Sequence, residues 1–291
     1  MKQEARLNQD YIAEQHAAGV AHAACKAISP RERVTGSTLA SVDGWPITLP
    51  NMREAVNEIC AAAERGESAA VFTLNLDHLV KLRSDDKFRR AYRKARYITA
   101  DGAPVVRLAA TDGVAIERTT GADMILPLAQ EAARRGLPVY LFGSNADVLG
   151  RAGQRLSLCA NGDLSIAGTM APAMGFDPEG PEGDAAIDHI AASGARICFL
   201  ALGAPKQELL AARAVERGVP VVFLGIGAAL DFLAGAQVRA PRTVQRAGLE
   251  WVWRLASNPR RLARRYVQCA LLLADLTLLA PLRRKPHSAG A

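Results

Sequence analysis

Six short, mostly apolar runs, each set off from the next by a stretch with helical periodicity, constrain this chain more than anything else in it. They are Ala69–Leu74, Arg96–Thr99, Pro138–Phe142, Leu164–Thr169, Arg196–Leu202 and Pro220–Gly225. Helical patterns occupy Asn51–Arg65, Lys87–Ala95, Ala122–Arg135, Ala146–Cys159, Asp184–Ser193 and Lys206–Arg217. A strand that is apolar on both faces must be covered on both, and strands alternating with helices pair in parallel. The breaks Gly136-Leu137-Pro138 and Gly218-Val219-Pro220 each end a helix and launch a strand. The expected fold class is therefore α/β: a Rossmann-like, mainly parallel sheet with helices on both faces and a C-terminal helical appendage. The 291 residues divide into a loosely ordered extension over 1–38, a core over 39–240 and the appendage over 241–291.

Open parallel sheets bind ligands beyond the carboxyl ends of their strands, so the residues that follow each run matter most. They include Thr73, Asn75 and His78, then Asp101-Gly102, then Gly143, then Gly203–Glu208, then Gly225-Ile226-Gly227. Asp101 stands on a glycine turn where a carboxylate can act as a general base, or can simply cap the helix that follows. Pro205 suits a first helical turn, and Lys206, Gln207 and Glu208 follow it. The free N–H groups there favour an anion, although an ordinary solvated first turn reads the same way. Gly225 and Gly227 open like a dinucleotide fingerprint, but Leu230 takes the third glycine position. Asp231 can accept from a ribose or base, or cap a turn. His78 has no visible nucleophile or metal partner, which favours a structural role. Five scattered cysteines, with no metal-ligand spacing, read as reduced thiols.

The charge is unevenly placed. From Arg239 to Lys285 eleven Lys/Arg face two acids, Glu250 and Asp275, giving +9 of a formal net +7 and leaving about −2 elsewhere. The leucine-rich Val267–Leu282 follows directly on this basic run. It is too short and too polar to span a bilayer. It either lies in a membrane interface or packs on the chain's own core or a partner. Nucleic acid is not an expected partner, because aromatics are only 5% of the chain and no nucleic-acid motif occurs. No D-x-D is present to hold a divalent cation on a diphosphate. If the chain binds a nucleotide diphosphate, arginines must neutralise it.

Several segments occur in one order: Thr73-Leu74-Asn75, Thr99–Gly102, Glu117–Asp123, Leu202–Glu208, Gly225–Gly235, Arg239-Ala240-Pro241 and Gly248–Tyr266. Together they resemble the WecG/TagA/CpsF glycosyltransferases (glycosyltransferase family 26). The resemblance implies an inverting, metal-independent hexosyltransferase without a cofactor. It would move a sugar from a UDP-sugar donor to a sugar on a polyprenyl diphosphate, in bacterial surface or exopolysaccharide synthesis. It also implies a cytoplasmic protein held peripherally on the inner face of the membrane, in keeping with an N-terminus that does not read as a signal peptide. Carried over by motif, Asp101 is the base, with Thr73 and Asn75 beside it. Arg118, Gln207 and Asp231 line the donor site, and Arg254, Arg261 and Arg264 of the appendage meet the leaving diphosphate. Arg260 and Arg265 compete for the last two places. Two other readings stand beside this one: a non-catalytic nucleotide-sugar or lipid-binding module, and a nicotinamide oxidoreductase. The donor and acceptor sugars and the oligomeric state, a homo-oligomer included, are left open.

Overall fold

The computed structural model describes residues 40–110, 115–246, 250–257 and 259–279. The extension over 1–38, Arg283, Arg284, Lys285 and the side chains of Arg254 and Arg261 lie outside the described residues.

A two-strand hairpin opens the described chain, β1 (Ser41–Val42) and β2 (Trp45–Pro46). Its turn is Asp43-Gly44, with φ of 53° and 80°, the left-handed pair that a tight hairpin requires. Then come α1 (Met52–Glu64), β3 (Ala69–Leu74), α2 (Leu76–Ser84), α3 (Asp86–Tyr92), β4 (Ala95–Ala100), α4 (Ala103–Ala109), α5 (Gly121–Arg134) and β5 (Val139–Gly143). The chain continues through α6 (Ala146–Cys159), β6 (Ile166–Met170), α7 (Pro181–Ala192), β7 (Ile197–Ala201), α8 (Lys206–Glu216), β8 (Val222–Gly225) and α9 (Ala229–Leu233). Three helices follow, α10 (Arg242–Arg246), α11 (Glu250–Ser257) and α12 (Pro259–Ala274), and a π-helical turn, Asp275–Leu279, closes the described part.

The six runs form one parallel sheet in the order β4-β3-β8-β7-β5-β6. The fold is the expected α/β, Rossmann-like architecture with a C-terminal helix. Alternating side chains build a core on each face. Val71, Leu141, Phe199 and Leu224 pack under α1, α5, α6 and α9. Phe72, Phe142, Leu200 and Phe223 pack under α2, α3, α7 and α8. The interior strands β3, β5, β7 and β8 are buried throughout, whereas the edge strand β6 is only partly covered.

One helix expectation is corrected. The pattern over Lys87–Ala95 belongs to a pair of helices that begins earlier, at Leu76, and Ala95 already starts β4. Asn75 caps α2, its side chain accepting from His78 N, and Asp85 caps α3 by accepting from Lys87 N and Phe88 N. The polar rim residues Asp77 and His78 disguised the first turn of α2 as a loop.

Helix α12 settles half of the question posed by the leucine-rich run. Cys269 and Leu272 are buried, and Leu272 joins the core beneath α2. Arg83 on α2 bonds Asp275 in the π turn at 2.7 Å. The opposite face stays open, with Val267, Leu271 and Leu278 each more than half exposed.

Candidate active site

A cleft of about 570 Å³ lies beyond the carboxyl ends of β3, β4, β7 and β8. The core supplies its floor, and α11 and α12 supply one wall through Trp251, Arg265 and Tyr266. The Trp251 and Tyr266 rings lie 5.8 Å apart.

Register brings the first cluster together. Thr73 pairs with Thr99 and Leu74 with Ala100, so Asn75 and Asp101 leave adjacent strands side by side. The Asp101 backbone N donates to Leu74 O at 2.8 Å. The Asn75 amide cannot turn freely, because its Oδ1 accepts from His78 N at 3.0 Å. Its Nδ2 is thereby aimed at Asp101 Oδ2, 3.4 Å away. Thr73, Asn75 and Asp101 all line the cleft. Asp101 is not the N-cap residue of α4: Gly102, at φ 97°, occupies that position.

Behind the cleft runs a buried polar chain. Gln207 Oε1 accepts from Gly227 N at 3.2 Å, and its Nε2 donates to Glu208 Oε1 at 2.8 Å. Glu208 is fully buried, 3.7 Å from His78 Nε2, and His78 Nδ1 meets the Tyr92 hydroxyl at 3.0 Å. Burial pushes the Glu208 carboxyl up to about 7 and the His78 imidazole down to about 3. His78 is thus held neutral, as a structural residue would be.

A third group joins the core to α11. The segment before α5 is tied to β4, with Thr119 N donating to Ala100 O at 2.8 Å and Thr99 Oγ1 donating to Thr119 O at 2.8 Å. That tie presents Arg118 to the cleft. Asp123, in the first turn of α5, takes Arg118 Nη2 on Oδ2 at 3.0 Å and Arg239 Nη1 on Oδ1 at 2.7 Å. Burial alone would raise the Asp123 carboxyl, but the Arg239 and Arg118 guanidiniums outweigh it and hold it below its ordinary value. Across the cleft floor, Asp231 accepts from Ser144 Oγ at 2.9 Å.

Of the residues singled out in the sequence, Thr73, Asn75, Asp101, Arg118, Gln207, Gly227 and Asp231 line the cleft. Others stand behind its surface. Lys206 Nζ turns away to donate to Phe176 O at 2.7 Å, and Pro205 sits at the cap position of α8 without a capping side chain. Glu208 is buried beneath Gln207, and Gly225 lies against the Gln207 side chain. Gly143 lies so close to Ala201 that a Cβ there would come within 2.4 Å of the Ala201 carbonyl oxygen. On α12, Arg264 is exposed off the cleft while Arg265 lines it, bonded to Asp77 Oδ1 at 3.0 Å. Asp77 also pairs with Lys81. Among the cleft residues that sequence reasoning gave no role are Asp123's partner Arg239, Glu250, Trp251 and Tyr266.

A family model described as the glycosyl transferase WecG/TagA/CpsF family matches residues 40–287. The chain belongs to that family. As a WecG/TagA/CpsF glycosyltransferase it is a transferase with a nucleotide-sugar donor and an acceptor. The match runs past Tyr266, where the recognisable motifs stop, and takes in α12. Among the described residues no helix is long and apolar enough to cross a membrane.

Proposed function

We propose that this glycosyltransferase moves a sugar from a UDP-sugar to a sugar carried on a polyprenyl diphosphate, with inversion and without a metal. The observation that carries the reading is the meeting, in one cleft, of the oriented Asp101 carboxylate with the guanidiniums of Arg118, Arg239 and Arg265. Transfer needs both kinds of group. Asp101 takes the proton of the acceptor hydroxyl as its oxygen attacks the anomeric carbon. The bond from that carbon to the diphosphate oxygen breaks on the opposite face, which inverts the centre. The electron pair leaves with UDP, and the arginines stabilise the growing charge. Asn75, fixed through its own hydrogen bond to His78 N, keeps the Asp101 carboxylate turned to the cleft.

The open face of α12 and the π turn after it, with Val267, Leu271 and Leu278, is the proposed contact with the inner face of the cell membrane, where a lipid-linked acceptor resides. The test is UDP release from a panel of UDP-sugars offered lipid-diphosphate-linked glucose or N-acetylglucosamine. Asp101→Asn should lower turnover by roughly 100- to 10,000-fold, the usual worth of a general base. An Asp101→Asn enzyme that keeps full turnover overturns the assignment. Binding of UDP without turnover on any acceptor would leave a binding module instead.

A further inference from the structure

Arg118 and Arg239 share one carboxylate on one side and a second, more distant one on the other. Asp123 uses both of its oxygens, one for each guanidinium, at 3.0 and 2.7 Å. It is itself fixed: Thr120 Oγ1 donates to Oδ2 at 2.9 Å, and the Asp123 backbone N donates back to Thr120 Oγ1 at 3.0 Å. The opposite nitrogens, Arg118 Nη1 and Arg239 Nη2, lie 4.0 and 3.6 Å from a single oxygen, Glu250 Oε2. Those are ion-pair distances, too long for hydrogen bonds. One anionic oxygen therefore sits at ion-pair distance from two guanidiniums that Asp123 holds. It comes from the first residue of α11, at the edge of the cleft.

We propose that Arg118 and Arg239, clamped by Asp123, cradle the diphosphate of the nucleotide donor, and that Glu250 holds the phosphate's place until the donor arrives. This rests on the nucleotide-sugar reading above and adds a residue and a counter-ion to it. Within this group of four, two guanidiniums balance two carboxylates. A diphosphate that entered while Glu250 stayed would leave the group net negative, so donor entry displaces Glu250. Asp123 remains, since it holds the arginines from the side away from Glu250. Arginine suits the task because its planar fork can give one edge to Asp123 and keep the other for a phosphate. Displacement also gives α11 a reason to respond to the donor, because its first residue loses a partner.

The experiment is calorimetric binding of UDP, uridine and inorganic pyrophosphate to the full chain and to Arg239→Ala, Arg239→Lys and Glu250→Gln. Arg239→Ala should weaken UDP and pyrophosphate on the order of 10- to 100-fold and leave uridine within about twofold. Arg239→Lys should recover only part of that loss, since it keeps charge without the fork. Glu250→Gln should tighten UDP by about three- to tenfold by removing the competing anion. If Arg239→Ala does not fold, the other two variants decide. Unchanged UDP affinity in the Arg239 variants, equal losses for UDP and uridine, or weaker UDP binding by Glu250→Gln overturns the cradle while leaving the donor reading in place. A wild-type chain that binds neither UDP nor another nucleoside diphosphate overturns the donor reading and the cradle with it.

Discussion

Replacing Glu208 with Gln tests the buried polar chain behind the cleft, and its outcome can be worked from the structure. Glu208 is fully buried, and burial lifts its carboxyl from 4.5 to about 7. The folded chain thus holds a proton that the unfolded chain has lost between those two values. The stability tied to that proton is complete below pH 4.5, declines as pH rises, and is gone above pH 7. The gap amounts to on the order of 3 kcal/mol, at about 1.4 kcal/mol for each pH unit. Gln cannot ionise, so the variant lacks this loss. An amide brings a constant offset of its own, because Glu208 Oε2 is buried with no hydrogen-bond partner and an NH2 in its place is equally unsatisfied. The offset does not depend on pH. His78, which is destabilised as pH falls below 6.5, is present in both proteins and cancels to first order in their difference. Urea unfolding followed by circular dichroism from pH 5 to 8.5 should show the variant gaining on the wild type by roughly 3 kcal/mol, mostly before pH 7.5, then levelling off. A difference that stays flat across this range would refute a neutral Glu208 in the folded chain.

Gly143→Ala should lower the unfolding free energy by about 1–3 kcal/mol in thermal or urea denaturation, because its Cβ would press on the Ala201 backbone at a φ of 119°. Changing Val267, Leu271 and Leu278 together to Ser should leave the unfolding midpoint nearly unchanged, since all are exposed. The same change should reduce sedimentation with anionic vesicles by on the order of tenfold or more; unaltered sedimentation would remove this face as the lipid contact. Leu272→Ala, on the buried side of the same helix, should do the reverse: vesicle binding persists while stability falls by about 2–4 kcal/mol.

The sheet was legible because its strands carry an uncommon signature. Ala69–Leu74 was located to the residue, since a strand buried on both faces has no polar position to blur its ends. Residues near strand ends were legible for the same reason, and Thr73, Asn75 and Asp101 meet because parallel register aligns them. What failed was inference about side-chain direction. Lys206 read as an exposed donor and Glu208 as part of the same charged first helical turn, yet one reaches back to the Phe176 carbonyl and the other is sealed beneath Gln207. A helix periodicity sorts buried from exposed faces only when the neighbouring loops are known. Arg239 was harder still. Its partner Asp123 is 116 residues away, and no local pattern joins them. On α12 the choice among neighbouring arginines turned on helix phase, which basic residues at 260, 261, 264 and 265 leave undetermined. The packing of Cys269 and Leu272 fixes that phase and turns Arg265 to the cleft.

The placement of these arginines changes what the basic C-terminal region does. An excess of positive charge suggests a surface that attracts anions wherever it lies. In the cleft, however, each described arginine is matched: Arg118 and Arg239 by Asp123 and Glu250, Arg265 by Asp77. Asp77 and Asp123 belong to the core and orient the cations. Glu250 arrives with the same C-terminal helices that bring Arg265, so among the described side chains those helices supply one charge of each sign to the wall. Among the described side chains of that wall the two charges cancel, and under the proposed cradle the field at the diphosphate depends on whether Glu250 withdraws. Under the proposed cradle, removing these helices all at once takes away attraction and competition together. Only the single-residue changes at Glu250, Arg239 and Arg265 can separate the two.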